Sequence, residues 1–313
     1  MNIQQLEYII AVDNFRHFAK AADVCAVTQP TLSMMIQKME DELNIKIFDR
    51  SKHPVEPTAI GKQIVEQARI SLRHFRQIKE IVANEQNVVH GKFRMGIIPT
   101  IASYLVPVLL HQQQSQYSEL ELTLQERTTS NLLNEIRNGL LDGGILAGPL
   151  NQAGLAEYPV YYEKFYAYVS PLDPASKEKE IDLDNIDISR MWLLENEHCL
   201  RGQIERLCRM KKTASGHTPA VRYESGSIDT LINVVDYNPG LTIIPEMHAM
   251  GLNEEKQENL RPFKNRIAVR EVCLVVSKDY VRQTMLRAIQ DIIRKSVPKS
   301  MQNPALKEHV VDL

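Results

Sequence analysis

The sequence is poor in the features that mark the special architectures. Its 313 residues hold only four cysteines (Cys25, Cys199, Cys208 and Cys273), too few for a disulfide-built scaffold. With 13 Gly and 15 Pro it is neither collagen-like nor a low-complexity chain. Long apolar runs are missing: runs such as Leu105–Leu110 and Leu241–Ile244 are broken within about eight residues, far short of the roughly 20 residues of a membrane helix. Met1–Asp13 lacks the basic start, apolar stretch and small-residue cleavage site of a signal peptide. Together these absences predict a cytoplasmic chain with no membrane partner, whose thiols stay reduced unless one is redox-active. Neither sign of charge dominates, with 37 Lys and Arg against 39 Asp and Glu. That excludes a polybasic chain but not a basic face. What remains, 43% hydrophobic and 24% charged residues, is the balance of a globular protein long enough for two or three domains.

The chain divides by pattern near residue 90. Residues 2–87 read as helical almost throughout, punctuated by Gly61, Pro30, Pro54 and Pro57. Ser51–Thr58 reads as a short extended stretch, and Thr58 can cap a long helix striped by Ile60, Ile64, Ala68, Leu72, Phe75, Ile78 and Val82. Such a stripe on a long helix calls for a partner. Beyond Gly91, strand and helix signals alternate. Strands are predicted at Phe93–Ile98, Leu120–Gln125, Gly144–Ala147, Tyr166–Ser170, Ala220–Tyr223, Leu241–Ile244 and Glu271–Ser277. Helices are predicted at Ile101–Gln116, Ser130–Leu140, Arg201–Met210, Ile228–Val235 and Asp279–Lys295. Alternation of this kind predicts an α/β fold with parallel sheets and a ligand crevice at their carboxyl ends.

Phe18–Ser33 carries a helix-turn-helix pattern. Ala19, Ala22 and Cys25 place small residues on one helical face, so that a second helix can cross closely. Thr28 is the N-cap of that second helix and Pro30 sits just inside it. Leu32, Ile36, Met39 and Leu43 are spaced to be buried, which leaves Gln29, Thr31, Ser33, Met34, Gln37 and Lys38 outward. Short polar side chains there can reach base edges in a major groove, although a helical hairpin with no nucleic-acid role has the same pattern.

The continuation, Glu40–Arg50 followed by Pro54–Gly61 and the long helix, resembles the amino-terminal domain of LysR-type transcriptional regulators over Met1 to about Asn87. The resemblance implies a winged helix-turn-helix at 1–57 and a linker helix at 58–87 that pairs in a dimer. It further implies a hinge at 88–91 and a two-lobed, periplasmic-binding-protein-like regulatory domain. We place the first lobe at 92–162 with 268–313 and the second at 163–267. The implied partner is double-stranded promoter DNA, read by Thr28, Gln29, Pro30, Thr31, Ser33, Met34, Gln37 and Lys38. Arg50, Lys52 and His53 would lie at the wing on phosphates or the minor groove. Residues 1–90 carry 11 basic and 11 acidic side chains, so phosphate binding requires the basic ones to be segregated onto one face.

A second signal is Leu193–Cys208. With Asn196 as N-cap, Cys199 falls in the first turn of a helix, where free N–H groups, His198 and Arg201 all favour a thiolate, the form that attacks peroxide. Cys208 follows nine residues later, half a turn out of phase and about 13.5 Å along an unbroken helix. A disulfide needs Cα atoms within roughly 7 Å, so joining the two would require the helix to unwind. Cys25 and Cys273 read as core thiols, Trp192 as a core residue near the pair, and His111, His217 and His248 as surface or structural side chains. No group has metal-ligand spacing, and neither metal nor cofactor is expected.

The His198-Cys199-Leu200-Arg201 stretch, the spacing to Cys208, Ile98-Pro99-Thr100 and Tyr104-Leu105-Val106-Pro107 resemble the hydrogen-peroxide-sensing OxyR branch of the LysR family. Gly202 stands where that branch commonly has Asp, and Glu197 where it commonly has Gly. The resemblance implies that Cys199 is the peroxidatic and Cys208 the resolving cysteine, with Thr100, Thr129, His198, Arg201 and Arg270 holding or polarising peroxide. It also implies a homodimer or homotetramer that the disulfide reorganises on DNA, contact with RNA polymerase, a thiol reductant for resetting, and no enzymatic turnover. Three other readings are open. One is a LysR-type regulator with a small organic effector between its lobes, its carboxylate cradled near Thr100 and Thr129; the others are a thiol peroxidase and a solute-binding protein. Residues 1–87 oppose the last two.

Overall fold

The computed structural model describes all residues except 86–88, 185, 187–189, 209–222, 265 and 312–313, and omits the side chains of 73, 76–77, 79–85 and 114–116. The predicted strand start Ala220–Arg222, the helix end Met210, His217, the first hinge residue and the side chain of Val82 therefore lie outside the described residues. The chain forms two compact units, Met1–Asn87 and Val88–Leu313.

In the first unit, α1 (Ile3–Phe15), α2 (Phe18–Val24) and α3 (Gln29–Leu43) are followed by β1 (Phe48–Asp49), β2 (Glu56–Pro57) and α4 (Ala59–Glu85). A reciprocal Asn2–Gln5 capping box starts α1, and Thr28 caps α3 by accepting from the Thr31 N–H at 3.4 Å, with Pro30 just inside. The core joins Ile9, Val12, Ala21, Ala22, Leu32, Ile36, Met39 and Phe48 to Val65 and Ala68 of α4. One expectation is corrected here. Leu43 does not complete the buried stripe of α3 but is exposed, and the next inward position is taken by Glu40, which is 1% exposed. The small residues at the crossing are also shifted, Ala21 and Ala22 being buried while Ala19 and Cys25 are only partly covered. The α4 stripe is split: Ala68 and Leu72 are buried and Ile64 partly so, with Val65 buried beside them, whereas Ile60, Phe75 and Ile78 are exposed.

Gly61 is where α4 meets the chain before β1. A Cβ there would lie 1.9 Å from the Ile47 carbonyl oxygen, a backbone atom that cannot turn aside. Gly61→Ala is therefore expected to destabilise this unit by about 3 kcal/mol, seen as a lower urea midpoint of the full chain.

The second unit is built on one seven-stranded sheet. Its strands are β3 (Gly91–Ile97), β4 (Leu120–Glu126), β5 (Gly143–Gly148), β6 (Leu155–Val169), β9 (Leu241–Pro245), β10 (Leu260–Arg261) and β11 (Val269–Ser277). The order is β10-β6-β11-β5-β3-β4, with β9 also on β6. This corrects the expectation of parallel sheets. Within this sheet, among the described residues, only β3 with β4 and β3 with β5 run parallel, while β11 and β6 pair antiparallel with each other and with their remaining neighbours. The cause is β6, expected only from Tyr166 but 15 residues long, which joins two regions that the sequence pattern separates.

Around the sheet lie α5 (Pro99–Gln116), α6 (Thr129–Arg137), α7 (Cys199–Leu207), α8 (Ile228–Tyr237), α9 (Glu246–Met250), α10 (Glu254–Gln257) and α11 (Gln283–Lys295). The short strands β7 (Leu193–Leu194) and β8 (Glu224–Ser225) pair in parallel before α7 and α8. The described residues of this unit form two hydrophobic cores. One gathers β3, β5, α5, α6 and α11 around Ile97, Leu105, Leu132, Val160, Tyr161, Val272–Val276 and Ile289. The other gathers Phe165, Tyr168, Leu200, Ile204, Leu231, Ile243 and Ala268. Strands β6 and β11 run from one core into the other, crossing at Tyr162–Lys164 and Val269–Arg270. No helix among the described residues is long and apolar enough to cross a membrane.

Candidate functional site

In the first unit α3 presents Thr28, Gln29, Pro30, Thr31, Met34 and Lys38 as exposed and Ser33 and Gln37 as partly exposed. Thr28 and Thr31 share a 2.8 Å hydroxyl hydrogen bond, and Gln37 donates to Asp41 at 2.7 Å. Lys52 and His53 are exposed in the turn between β1 and β2, with Lys52 paired to Glu56 at 2.6 Å. Arg50, expected on the wing, is exposed and reaches across to α2 and α3. Its guanidinium donates to Ser33 Oγ at 3.0 Å and Glu40 Oε2 at 3.2 Å, and lies over the Phe18 ring.

Glu40 is the residue the sequence pattern missed. Its Oε1 accepts the Ile47 and Phe48 N–H groups at 2.7 and 3.2 Å, so a buried carboxylate stitches the end of α3 to the entry of β1. An acid on the inward side of an amphipathic helix was the available signal.

The second site lies where β6 and β11 cross between the two cores. Thr100 is in the first turn of α5, Thr129 opens α6 and Cys199 opens α7, so three helix N-termini contribute. These ends carry free N–H groups and partial positive charge. The expected N-cap Asn196 is displaced. His198 is the cap residue of α7 and makes no side-chain capping bond, because a turn closed by its N–H to Glu195 O at 3.1 Å delays the helix start.

Arg270 is the central cation. It is fully buried on β11, directly opposite Glu163 on β6. Its Nε and Nη2 donate to Glu163 Oε1 at 2.9 and 2.5 Å, Nη2 to Tyr104 Oη at 2.7 Å, and Nη1 to Thr100 Oγ1 at 3.1 Å. Tyr104 in turn donates to Glu163 Oε1 at 3.0 Å, and Glu163 Oε2 accepts the Met247 N–H of α9 at 3.3 Å.

Cys199 packs against the first core while its neighbour Leu200 packs into the second. Burial pushes its thiol up from the ordinary value. Arg270 and a hydrogen bond involving Thr129 pull the other way but do not prevail. The flanking charge expected from the sequence is not the one in place. Arg201 donates to Leu194 O, Glu205 and Glu224 at 2.8–2.9 Å, so the cation acting on the thiol is Arg270. The structure thus brings Thr100, Thr129, Cys199 and Arg270 together. It leaves Arg201 committed to ion pairs and His198 at the helix start.

Cys208 is the C-cap of α7, its N–H still bonded to Ile204 O, and burial raises its thiol to about 11, partly offset by Arg266. The two cysteines therefore stand at opposite ends of one intact helix, about 13.5 Å apart along its axis. All four thiols are free. Cys273 is buried beside Glu271 at 3.3 Å, and burial raises it far beyond the thiol range; half-buried Cys25 is raised by burial and Glu7. Trp192 donates Nε1–H to Pro239 O and packs on the second core. His248 is buried with Nε2 3.2 Å from Asp229, and no metal-holding cluster occurs among the described residues.

Glu163 and Tyr104 are the further site residues that sequence reasoning did not assign. The signal was an acid and a base, Glu163 and Arg270, in two largely apolar strands that also carry Glu157, Lys164 and Glu271. Their register opposite each other was not readable.

Comparison with known proteins places both units. Residues 3–62 match the bacterial regulatory helix-turn-helix family of LysR type, and residues 86–298 match the LysR substrate binding domain. The hydrogen peroxide-inducible genes activator of Haemophilus influenzae is 33% identical over 88% of this chain and 90% of its own. The DNA-binding transcriptional dual regulator OxyR of Escherichia coli is 32% identical over 79% and 80%. Among solved structures, full-length OxyR C199D from Pseudomonas aeruginosa superposes with a TM-score of 0.78 at 29% identity, covering 94% of this chain and 98% of the other. The chain is a LysR-type, helix-turn-helix transcriptional regulator and belongs to the OxyR group of that family.

Proposed function

We propose that the chain regulates transcription in response to hydrogen peroxide, with Cys199 as the sensing thiol. The observation that carries this reading is the convergence of Arg270, Thr129 and the start of α7 on Cys199, with a second thiol at the other end of that same helix. The Cys199 sulfur attacks one peroxide oxygen: the S–O bond forms, the O–O bond breaks, and the departing hydroxide takes a proton to leave as water. Cys208 then attacks the sulfenic sulfur, forming S–S and releasing the oxygen as a second water. Thr100 and Arg270 would hold the peroxide oxygens.

The second step requires α7 to unwind, since about 13.5 Å must shrink to less than roughly 7 Å. Gly202 in the middle of α7 eases this, glycine being about 1 kcal/mol worse than alanine inside a helix. Leu200, Ile204 and Leu207 are buried in the second core, so unwinding disturbs the packing between the two regulatory lobes, 92–162 with 268–313 and 163–267. That is the route by which oxidation would reorganise a homodimer or homotetramer on promoter DNA. The exposed Phe75 and Ile78 of α4 fit the dimer contact. Base reading falls to Thr28, Gln29, Pro30, Thr31, Ser33, Met34, Gln37 and Lys38, and phosphate contact to Arg50, Lys52 and His53, all three exposed. RNA polymerase is the downstream partner, a cytoplasmic thiol reductant resets the switch, and the thiols act once per signal without turnover.

The test is peptide mass mapping of the reduced full-length protein, with free thiols alkylated, before and after one equivalent of hydrogen peroxide. A peptide linking Cys199 to Cys208 is expected. Four alkylated cysteines after peroxide would overturn the redox reading in favour of a small effector bound between the lobes.

A further inference from the structure

Among the described residues Arg270 is the buried cation that acts on Cys199, and it is already neutralised. Its Nε and Nη2 are turned to the Glu163 carboxylate, both side chains being fully inaccessible to solvent. Nη1, with a single hydrogen bond to Thr100, remains on the side away from the carboxylate. A buried guanidinium requires a counter-ion, and in this pocket the choice is narrow. The groups that surround it are Glu163 and Tyr161 on β6, Tyr104 on α5, His248 on α9 and Cys199 on α7. His248 faces Asp229 and is held toward the neutral form by burial, so it supplies no negative charge. The two phenols are held well above their ordinary values by burial. That leaves a carboxylate and a thiol as candidates, and a carboxylic acid is by far the stronger acid.

We propose that Glu163 and the Cys199 thiolate compete for Arg270, and that Glu163, by winning, keeps Cys199 a thiol and sets the reactivity of the sensor. Glu163 is thus a positioning residue that acts through Arg270. When peroxide chemistry draws the thiolate form, the proton leaves Cys199 for solvent and the site carries one net negative charge. Taking away the carboxylate charge while keeping its acceptor oxygen leaves Arg270 in place without a counter-ion, and the thiolate becomes the only anion that can fill the role. This inference rests on Cys199 being the sensing thiol. Its test, however, reads the ionisation of Cys199 without peroxide.

The experiment is the pH profile of iodoacetamide alkylation of Cys199 in the reduced full-length protein, resolved from the other three cysteines by peptide mass. Glu163→Gln is expected to move the profile to lower pH by at least about one unit, making alkylation at neutral pH about tenfold faster. Glu163→Asp, which restores the charge, is expected to return it toward wild type. An unchanged or upward profile in Glu163→Gln, or a Glu163→Asp profile that follows Glu163→Gln, would overturn the proposal.

Should Glu163→Gln not fold, the pair Arg270→Gln and Glu163→Gln/Arg270→Gln serves instead. Their profiles should coincide and lie at higher pH than wild type, because Glu163 has no influence once Arg270 is neutral. A tenfold gap between them would show a direct effect of the carboxylate and overturn the proposal. Mapping of peroxide-treated wild type separates this from the underlying reading. If peroxide spares Cys199 while the alkylation profile shifts as described, the sensing role falls and the competition for Arg270 stands.

Discussion

Cys199→Ser is expected to abolish the response to peroxide completely while the protein stays folded and binds DNA as its reduced form does. A serine hydroxyl is not ionised near neutral pH and does not attack peroxide, so no sulfenic acid forms and Cys208 has no electrophile to meet. The fold tolerates the change. The residue is the first of α7, where serine is well accommodated, it is only partly buried, and an oxygen there can keep the hydrogen bond with Thr129. Cys208→Ser separates the two steps: Cys199 still oxidises, the chemistry stops at the sulfenic acid, and α7 has no covalent reason to unwind. Footprints on DNA selected by the wild-type protein, taken with and without peroxide, read the switch. Trapping with a sulfenic-acid reagent reads the arrested step. A Cys199→Ser protein whose footprint still changes with peroxide would remove Cys199 from the mechanism.

Glu40→Ala is expected to cost roughly 3–5 kcal/mol, because it strips the acceptor from two buried backbone N–H groups at once, those of Ile47 and Phe48. The ion pairs with Lys46 and Arg50 are left out of that figure, since both bases are more than a third exposed and screened by solvent. Loss of Glu40 also frees Arg50 from its place over Phe18 and beside Ser33, loosening the link between the wing and α3. Because the chain forms two compact units, the damage should be confined. In urea the amino-terminal unit is expected to unfold first and DNA binding to fail, while Cys199 keeps its wild-type alkylation profile. Glu40→Gln, which retains an acceptor oxygen, should lose less. A Glu40→Ala loss below about 1 kcal/mol would mean that water replaces the carboxylate at those N–H groups.

Much of the amino-terminal unit was legible because its signals are local. The Thr28 cap, Pro30 inside the helix and the apolar spacing of Leu32, Ile36 and Met39 act within two or three turns, and the structure has all of them. Extrapolating that spacing to Leu43 failed because the end of α3 is fixed by a non-local demand, the two N–H groups at Ile47 and Phe48, which an acceptor oxygen at position 40 meets. Five strands of the sheet, β3, β4, β5, β9 and β11, were legible, whereas β10, most of β6 and the strand directions were not. Parallel and antiparallel central strands have the same apolar composition when both faces are covered, so nothing in Val269–Ser277 or Leu155–Val169 records that the two run antiparallel.

Around Cys199 the division is similar. The spacing of the two cysteines, the helix between them and the need to unwind it follow from the chain itself, since a helix of known rise joins them. Which cation meets the thiol does not. Arg201 is close in sequence, but a residue two positions along a helix projects elsewhere, and here it reaches Glu205 and Glu224. Arg270 is 71 positions away and arrives because β11 crosses β6 in a register that places it opposite Glu163. The sequence by itself determined the helix-turn-helix, the long linker helix, the alternating regulatory domain and the pair of thiols, each a matter of short-range periodicity or covalent spacing. Only the tertiary structure decided the charge that reaches Cys199, the buried acids at 40 and 163, and the direction of the central strands. These depend on strand register and on desolvation, both of which are set by contacts between residues far apart in the chain.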